Sequence, residues 1–450
     1  MTQRTEPARG MRDFLPEDVR RREYVIAIIT RVYERYGFEP LETPAVENIE
    51  TLLGKYGEEG NQLIFKILKR GEHEASGQAD LALRYDLTVP LARVVAQYQS
   101  KLPRLFKRYQ IQPVWRADRP ARGRFREFYQ CDVDSLGSTS PMVEAELCAT
   151  MSDALTELGF DDFVIRINHR ELLTSILSEA GVGTHQRGDA LVALDKLDKI
   201  GPAGVDGELA NRGIEEQARN ALLQVFLPPD PADATPVAVL RRVAAFVTGD
   251  EAGQRAVASV HAIMELVAQT SAAGRVRFDP SLARGLSYYT GAIMEINVAD
   301  LAGSLGGGGR YDNLIGMFLG QNIPACGFSL GLERILVVMT ERNMFPPTLA
   351  TTPADVMIAT FDASGAGAAM RLAAMLRATG LRVLVYPDPE KIGKQIKYAD
   401  SRRIPFVALL GDDEIKAGTV TVKNLAAQTQ ATYDQSAAGA AIRQGLEQRG

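Results

Sequence analysis

The chain has 450 residues, of which 46% are apolar and 24% charged, and its formal net charge is −5. This length predicts roughly two to four domains, and the absence of any run of roughly 18 apolar residues excludes a membrane-spanning helix. The three cysteines lack metal-ligand or disulfide spacing and the N-terminus lacks an apolar signal core, so we expect a cytoplasmic protein without a zinc site.

The first predicted elements are a helix and several strands. Residues 19–36 place apolar side chains at helical spacing, and Gly37 is positioned to end the helix. The next segment, FEPLETPAV, contains two prolines, which predicts a strand at a sheet edge or an interface because proline cannot donate to a strand ladder. Period-two alternation then predicts strands in LALRYDLTV, RLFKRYQIQPVWR and FREFYQCDVDSLG, and favours an antiparallel sheet.

The middle of the chain changes from strand to helix and back. Residues 141–158 predict a helix and 163–168 a strand, and the amphipathic segments between 171 and 272 predict a helical insertion. Strand signals return in FDPSLARGLSYYTGAIMEINV, SLGGGGR and ACGFSLG. After the proline-rich linker, strand and helix patterns alternate, which predicts a small α/β domain.

Arginines are the strongest chemical signal. Arg116 and Arg124 lie on two predicted strands joined by the loop RADRPARG, while Arg284 and Arg334 lie near other strands. Each arginine alone is most simply a surface residue. A guanidinium group can, however, donate two parallel hydrogen bonds to the oxygens of one phosphate. Several such groups converging on one sheet would therefore hold a polyphosphate. The glycines at 306–309 form either an anion-binding loop or a tight bend, and no P-loop or Ser/His/Asp nucleophile motif is present.

The motifs resemble those of the histidyl-tRNA synthetase family of class II aminoacyl-tRNA synthetases over nearly the whole chain. LETPAVE resembles motif 1, VWRADRPARGRFREFYQCD motif 2, and PACGFSLGLERI motif 3. LRYDLTVP, LARGLSYYTG and SLGGGGRYDNL resemble signatures of the histidine enzyme, and KIGKQIKYA with GDDEIKAG resembles its anticodon-binding domain. The resemblance implies an α+β fold in which a class II antiparallel catalytic domain carries a helical insertion and is followed by a C-terminal α/β anticodon-binding domain.

The resemblance also implies roles for the cationic and aromatic residues. Arg116 and Arg284 would be catalytic: Arg116 would bind the α-phosphate of ATP on the side of the substrate carboxylate, and Arg284 would contact the α-phosphate opposite the incoming carboxylate. The ATP-binding residues would be Arg116, Asp118, Arg124, Phe128 and Arg334, with Phe128 stacked on adenine. Asp118 stands where the class usually has glutamate, and Ser287 where aspartate is common.

Histidine would be held by a second group of side chains. Asp86, Thr88 and Gln130 would bind its amino group, and Asp134 and Tyr289 its imidazole nitrogens. Asp86 and Asp134 are one methylene shorter than the glutamates of many bacterial members, so each needs a compensating shift or a water. The full implied set is Asp86, Thr88, Arg116, Gln130, Asp134, Arg284, Tyr288, Tyr289, Gly307 and Gly309.

The resemblance implies ATP-dependent attachment of L-histidine to tRNA(His) through histidyl-adenylate, with release of pyrophosphate and AMP. It implies Mg²⁺ with ATP, with ligands left open, and a homodimer formed through the motif 1 region. Arg119 and Arg122 belong either to an acceptor-stem contact or to a solvated loop, and the insertion either clamps tRNA or buttresses the sheet. The predicted division is 1–170 and 273–342 for the catalytic domain, 171–272 for the insertion, 343–354 for the linker and 355–450 for the anticodon-binding domain.

Three other functions are compatible with parts of the pattern. A histidine-binding regulatory paralogue would keep the core without charging tRNA, but the retained arginines and the C-terminal domain argue against it. A class II synthetase for threonine, proline or glycine is disfavoured by LARGLSYYTG and GGGGRYD. A plain nucleic-acid-binding module would explain the arginine-rich stretch alone.

Replacing Arg284 by alanine tests the role that the resemblance gives it. Loss of fixed positive charge at the α-phosphate is expected to lower histidine-dependent ATP–pyrophosphate exchange by about 100-fold or more. Equilibrium dialysis should show histidine binding that is largely intact. A fully active Arg284→Ala protein would refute the assignment.

Overall fold

The computed structural model describes residues 5–71, 76–226, 235–283, 288–346, 349, 352–388 and 390–448. They form two compact units. One contains the residues up to Asp13 and Arg22–Met344, and the other contains Phe14–Arg21 and the residues from Phe345 onward. No described helix is long and apolar enough to cross a membrane.

The strands of the first unit form a large sheet and a small one. Their bounds are β1 (Glu39–Pro40), β2 (Val46–Asn48), β3 (Lys66–Leu68), β4 (Ala79–Leu83), β5 (Phe106–Trp115), β6 (Glu127–Leu136), β7 (Val164–His169), β8 (Val276–Phe278), β9 (Ala292–Asn297), β10 (Ser304–Arg310) and β11 (Ala325–Gly331). Among the described strands, the large sheet has the order β1-β5-β6-β11-β10-β9-β7-β8, and the small sheet the order β2-β4-β3. The large sheet is antiparallel except for the parallel pairs β1–β5 and β7–β8 at its edges, which confirms the predicted antiparallel core.

Helices cover the sheet and fill the insertion. Their bounds are α1 (Pro16–Arg35), α2 (Ile49–Leu52), α3 (Gly57–Gln62), α4 (Thr88–Tyr98), α5 (Met142–Glu157), α6 (Arg170–Glu179), α7 (Arg187–Leu194), α8 (Leu197–Asn211), α9 (Glu216–Phe226), α10 (Pro236–Phe246), α11 (Glu251–Val267), α12 (Gly316–Leu319) and α13 (Leu332–Glu341). The helix α5 packs on β11 and α13 packs on β6. The helices α6–α11 occupy the predicted insertion, whose boundaries stay a prediction.

Arg84 holds residues 43–44 next to the end of β5. Its buried guanidinium donates to the carbonyl oxygens of Thr43, Pro44 and Pro113. A charged donor that serves several backbone acceptors satisfies them without water. It therefore fixes the proline-bearing segment, and β1 lies at the sheet edge as the prolines predict.

Two parts of the predicted strand pattern are wrong. LALRYDLTV is not one strand, because β4 ends at Leu83 and α4 begins at Thr88. The Asp86 carboxylate accepts a hydrogen bond from the Val89 N–H, one of the free donors of the first helical turn. Arg124 is not on a strand either: it lies in a tight turn, paired with Ala121 through the backbone, beside Gly123 with its positive φ of 67°.

The second unit is a separate α/β sheet. Its elements are β12 (Val356–Thr360), α14 (Ala366–Ala378), β13 (Val383–Val385), α15 (Ile392–Ser401), β14 (Phe406–Leu410), α16 (Asp412–Ala417), β15 (Thr419–Asn424), β16 (Thr429–Asp434) and α17 (Gln435–Glu447). The strand order is β13-β12-β14-β15-β16, parallel from β13 to β14 and antiparallel beyond. Apolar side chains of α14 and α17 pack on one face and those of α15 on the other, as expected for an α/β domain.

Candidate active site

A cleft of about 340 Å³ opens over the large sheet of the first unit. Strands β6, β9, β10 and β11 contribute to it, together with the loop after β5 and the first turn of α13. The predicted site residues that line it are Thr88, Arg116, Asp118, Arg124, Phe128, Gln130, Asp134, Tyr288, Tyr289, Gly307 and Arg334. Polar groups from segments far apart in the chain thus converge on one cavity.

Strand β6 carries the central row of side chains. Phe128, Gln130, Asp132 and Asp134 all line the cleft, because side chains two residues apart in a strand point to the same face. The sequence prediction contains Phe128, Gln130 and Asp134 and misses Asp132. The alternation that places the other three on one face was the signal that could have found it.

Arg116 connects the β5 loop to this row. Its Nε donates to the Tyr85 carbonyl at 3.0 Å and its Nη2 to Gln130 Oε1 at 3.4 Å. The guanidinium carbon lies 4.3 Å from the Tyr85 ring centroid and 5.1 Å from that of Phe128. Two aromatic faces and two acceptors hold the cation in one orientation within the cleft.

Arg334 and Arg124 bring further positive charge to the cleft. Arg334 lies in the first turn of α13 and donates to the carbonyl oxygens of Gly123 and Ser304. A Cβ on Gly123 would lie 3.2 Å from Arg334 Cγ, so the glycine lets the turn approach this arginine closely. Arg124 lies in the same turn with an exposed side chain that lines the cleft.

The two other loop arginines do not line the cleft. Arg119 is exposed, and Arg122 donates from Nε to Glu341 Oε1 at 3.1 Å and from Nη1 to the Asp300 carbonyl at 3.0 Å. The loop is therefore tied by Arg122 to the end of α13.

Asp86 is buried and its oxygens are already in use. Oδ1 accepts from Tyr56 Oη at 2.9 Å and from the Val89 N–H at 3.1 Å, and Oδ2 accepts from Tyr288 Oη at 3.0 Å. Burial raises the pKa of this carboxyl group, although these donors and Arg116 oppose the rise. Of the two tyrosines, Tyr288 lines the cleft, and it connects the cleft wall to Asp86.

Asp134 has a cationic partner within the fold. Its Oδ2 lies 2.8 Å from Arg108 Nη2, with both side chains buried, and its Oδ1 accepts from Tyr311 Oη. Burial raises the pKa of Asp134 and Arg108 opposes the rise. Gly327 makes room for the carboxylate, since a Cβ at this position would lie 1.9 Å from Asp134 Oδ1.

Two more buried carboxyl groups line the cleft, Asp132 and Glu333. The pKa of Asp132 is raised to about 7, chiefly by burial. Burial likewise raises the pKa of Glu333 to about 7, although its Oε2 accepts from the Tyr129 N–H at 2.9 Å. Glu333 Oε1 has no hydrogen-bond partner among the described residues.

Three of the four glycines of β10, Gly306, Gly308 and Gly309, leave no space for a side chain. A Cβ would lie 2.4 Å from the Ser329 carbonyl oxygen at Gly306 and 2.2 Å from that of Gly327 at Gly308. At Gly309 it would lie 2.7 Å from the Ala292 carbonyl oxygen and 3.0 Å from the Tyr289 ring. The glycine run is thus a strand that its neighbours approach closely, and not a tight bend.

Arg284 lies outside the described residues, as does Ser287. Leu282 and Tyr288, which flank that segment, both line the cleft.

Comparison with known proteins relates both units to one family. The model described as Histidyl-tRNA synthetase matches residues 10–335, and the model described as Anticodon binding domain matches residues 355–444. A protein of Gloeobacter violaceus named histidine–tRNA ligase is 41% identical, covering 96% of this chain and 97% of its own length. A histidine–tRNA ligase of Christiangramia forsetii is 40% identical, with 98% and 100% covered.

The fold is also similar to a solved structure. The histidyl-tRNA synthetase from Nostoc sp. PCC 7120 superposes with a TM-score of 0.81 at 30% sequence identity, covering 98% of this chain and 100% of that one.

Alanine substitutions in β10 separate a severe overlap at Gly308 from a milder contact at Gly307. At Gly308 a Cβ would meet backbone atoms of β11, which cannot move aside, so we expect Gly308→Ala to lower the free energy of unfolding by about 2–3 kcal/mol. At Gly307 the nearest atom is the Met294 carbonyl oxygen at 3.3 Å, so Gly307→Ala should cost less than about 1 kcal/mol. Urea unfolding of the two variants measures the difference, and equal losses would contradict this account.

Proposed function

The chain belongs to the histidyl-tRNA synthetase family, and from this premise we propose how its cleft activates histidine. The enzyme is an ATP-dependent histidine–tRNA ligase. It forms histidyl-adenylate with release of pyrophosphate, and then transfers histidine to tRNA(His) with release of AMP. The observation that supports the proposed site is the convergence of Arg116, Arg334 and the polar row of β6 on one cleft.

The first step needs charge stabilisation and positioning but no protein nucleophile. The substrate carboxylate attacks the α-phosphorus and the bond to the pyrophosphate oxygen breaks. Arg116 lies beside Gln130 and would bind both the α-phosphate and the carboxylate, and Arg284 would bind the α-phosphate from the other side. Fixed cations aimed at oxygens that gain charge in the transition state lower the barrier without reorganisation.

The rest of the nucleotide would lie along the β5 loop. Arg124 and Arg334 would bind the outer phosphates, Phe128 would stack on adenine, and Asp118 would accept from the adenine amino group. Arg116 lies against the Phe128 ring, so the base platform and the α-phosphate cation are held together. The leaving pyrophosphate would then lie at the end of the cleft that carries Arg334.

Histidine would lie along β6, beyond Arg116. Asp86, Thr88 and Gln130 would surround the amino end, and Asp134 and Tyr289 would hydrogen-bond the imidazole nitrogens, with Tyr288 holding Asp86 in place. Gly307 would let the amino acid approach the strand backbone, and Gly309 accommodates the Tyr289 ring. A site built from buried hydrogen-bonding groups rejects amino acids that lack an imidazole. With such a ligand bound, the buried polar groups of the site would stay unpaired.

Mg²⁺ would accompany ATP. Among the described residues no cluster of three His, Cys, Asp or Glu side chains could hold an ion alone, which fits a metal that relies on substrate phosphates plus one or two carboxylates. Glu295 and Glu333 line the cleft, and Glu333 Oε1 is buried and unpaired among the described residues. Either residue would supply one carboxylate ligand, and the ion would neutralise charge on the phosphates.

We also propose that the enzyme is a cytoplasmic homodimer that uses the motif 1 region as its interface. The three cysteines are free and buried, as suits a reducing compartment. In the small sheet, Val46, Leu81 and Leu83 lie on one face, while Glu47 and Ala82 on the opposite face are buried. Val46 is 39% exposed and Leu81 36%, which leaves an apolar surface next to motif 1 for a second copy.

Histidine-dependent ATP–pyrophosphate exchange tests the proposed site and the enzyme together. The purified protein should exchange label with histidine about 10⁴-fold better than with threonine, proline or glycine. A regulatory paralogue would bind histidine without exchange, and better exchange with another amino acid would overturn the assignment.

Leu81→Asp tests the dimer. A charge placed on both copies of a two-fold interface should weaken self-association by about 100-fold or more, as measured by sedimentation equilibrium. Val192→Asp is the matched control, because Val192 is 51% exposed in the helical insertion. A Leu81→Asp protein that stays dimeric would contradict the proposed interface.

A further inference from the structure

The segment ahead of α1 lies against the β5 loop, residues 116–126. We call residues 8–13 of this segment the strap. It begins with a turn in which the Met11 N–H donates to the Ala8 carbonyl at 2.9 Å. The Gly10 carbonyl accepts from the Arg126 N–H at 2.8 Å. The backbone of the strap is therefore joined to the end of the β5 loop that leads into β6.

Gly10 allows the strap to come this close. Its φ of 84° lies in the left-handed region that residues with a side chain rarely adopt. A Cβ on Gly10 would lie 2.8 Å from Arg126 Cγ and 2.9 Å from Pro120 Cγ. Glycine is thus needed here for the backbone conformation and for contact with two parts of the β5 loop.

Arg12 adds a side-chain contact beside this backbone bond. Its guanidinium carbon lies 3.4 Å from the centroid of the Phe125 ring, and a cation over an aromatic face is attracted by the negative potential of the ring. Phe125 lines the cleft, whereas Arg12 is not among the described residues that line it. Arg12 therefore contacts a side chain of the cleft wall without lining the cleft itself.

The strap holds the loop next to residues that would bind ATP. Phe125 directly follows Arg124 in the chain. The Arg126 carbonyl accepts from the Arg116 N–H at 2.9 Å, and Arg126 Nε donates to the Asp118 carbonyl at 3.1 Å. Both arms of the loop are thus tied to Arg126, which is itself bonded to the strap.

A second attachment holds the loop at a different point. Arg122 donates to Glu341 at the end of α13 and to the Asp300 carbonyl. The strap is the attachment nearer to Arg116, because the Arg126 backbone bonds to both.

The strap also contributes charge to the cleft wall. Arg12 and Arg22 both oppose the rise that burial causes in the pKa of Glu333. The guanidinium carbon of Arg22 lies 5.0 Å from the Tyr129 ring centroid, and the Tyr129 N–H donates to Glu333. The charge of Arg12 therefore favours the ionised form of a carboxyl group that lines the cleft.

We propose that the strap is a positioning element for ATP, in which Arg12 is the positioning residue that holds Phe125 and the adjoining Arg124 in the conformation that binds the nucleotide. This rests on the proposed function, in which the nucleotide lies along the β5 loop. A loop that is already held binds its ligand without the cost of ordering. Without Arg12, a smaller fraction of molecules carries the loop in this conformation, and the affinity for ATP falls in proportion to that fraction.

Arg12→Ala tests the strap by direct binding of ATP in the absence of histidine. Loss of the cation over the Phe125 ring should raise the dissociation constant for ATP about 5- to 10-fold, as measured by equilibrium dialysis. The KM for histidine in the exchange reaction should change by less than about twofold, because Arg116 keeps its contacts with Tyr85 and Gln130. An unchanged affinity for ATP, or an equal loss for histidine, would overturn the proposal.

Two further variants separate positioning from a general effect of charge. Arg12→Lys keeps a cation next to the Phe125 ring and should bring ATP binding back to within about threefold of the unmodified protein. Arg9→Ala is the matched control, because Arg9 is an exposed arginine of the same strap, and ATP binding should stay unchanged. No recovery with Arg12→Lys, or an equal loss with Arg9→Ala, would contradict the assigned role of Arg12.

A double-mutant cycle shows whether Arg12 acts through Phe125. After Phe125→Leu removes the ring, Arg12→Ala should weaken ATP binding by no more than about twofold further. Effects that multiply fully in the double variant would overturn the assignment. Histidine-dependent exchange by the unmodified protein is a separate result: its absence would contradict the proposed function, whereas the comparisons of ATP binding among variants decide the role of the strap.

Discussion

The cleft depends on the close approach of backbones along β10. Four consecutive glycines let β9 and β11 lie against this strand, where any larger residue at Gly306 or Gly308 would meet a carbonyl oxygen. Because residues 306–309 have no side chains, the sheet face stays open between the β6 row and Tyr289. Glycine in a strand interior weakens that strand, so the open cleft floor lowers the stability of β10. The sheet therefore depends on the helices that pack on its other strands, such as α5 on β11 and α13 on β6.

Buried carboxyl groups dominate the electrostatics of that floor. Asp86, Asp132 and Asp134 are each no more than 2% exposed, and of these Asp134 has the ion pair with Arg108. An isolated buried charge is unfavourable, so such a group is stabilised either by protonation or by a cation. The raised pKa of Asp132 reflects this state. The end of the cleft that carries Arg116 and Arg334 has the opposite character, because both guanidinium groups are oriented there by backbone carbonyl groups. The cleft is thus polarised along its length before any substrate enters.

The sequence predicts those features that depend on local pattern or motif resemblance. Period-two alternation located β5, β6 and the strands after the insertion, and the motifs placed Arg116, Phe128, Gln130 and Arg334 in the cleft. What was missed was local turn and helix-start geometry: Arg124 lies in a turn closed by Ala121 rather than on a strand, and LALRYDLTV divides because Asp86 accepts from the Val89 N–H in the first turn of α4. Asp132 was overlooked although it follows the same two-residue alternation as Phe128, Gln130 and Asp134, with which it lines the cleft.

The backbone next to Arg116 has a thermodynamic consequence. Tyr85, whose carbonyl accepts from Arg116, directly follows Arg84, which holds the proline-bearing segment and the end of β4. The Trp115 N–H in turn donates to the Arg84 carbonyl. One short segment, residues 83–85, therefore connects the apolar face of the small sheet to the cation that would meet the α-phosphate. If dimerisation shifts this segment, it changes the affinity of Arg116 for ATP. Thermodynamic linkage then requires that bound ATP change the dimerisation constant by the same factor.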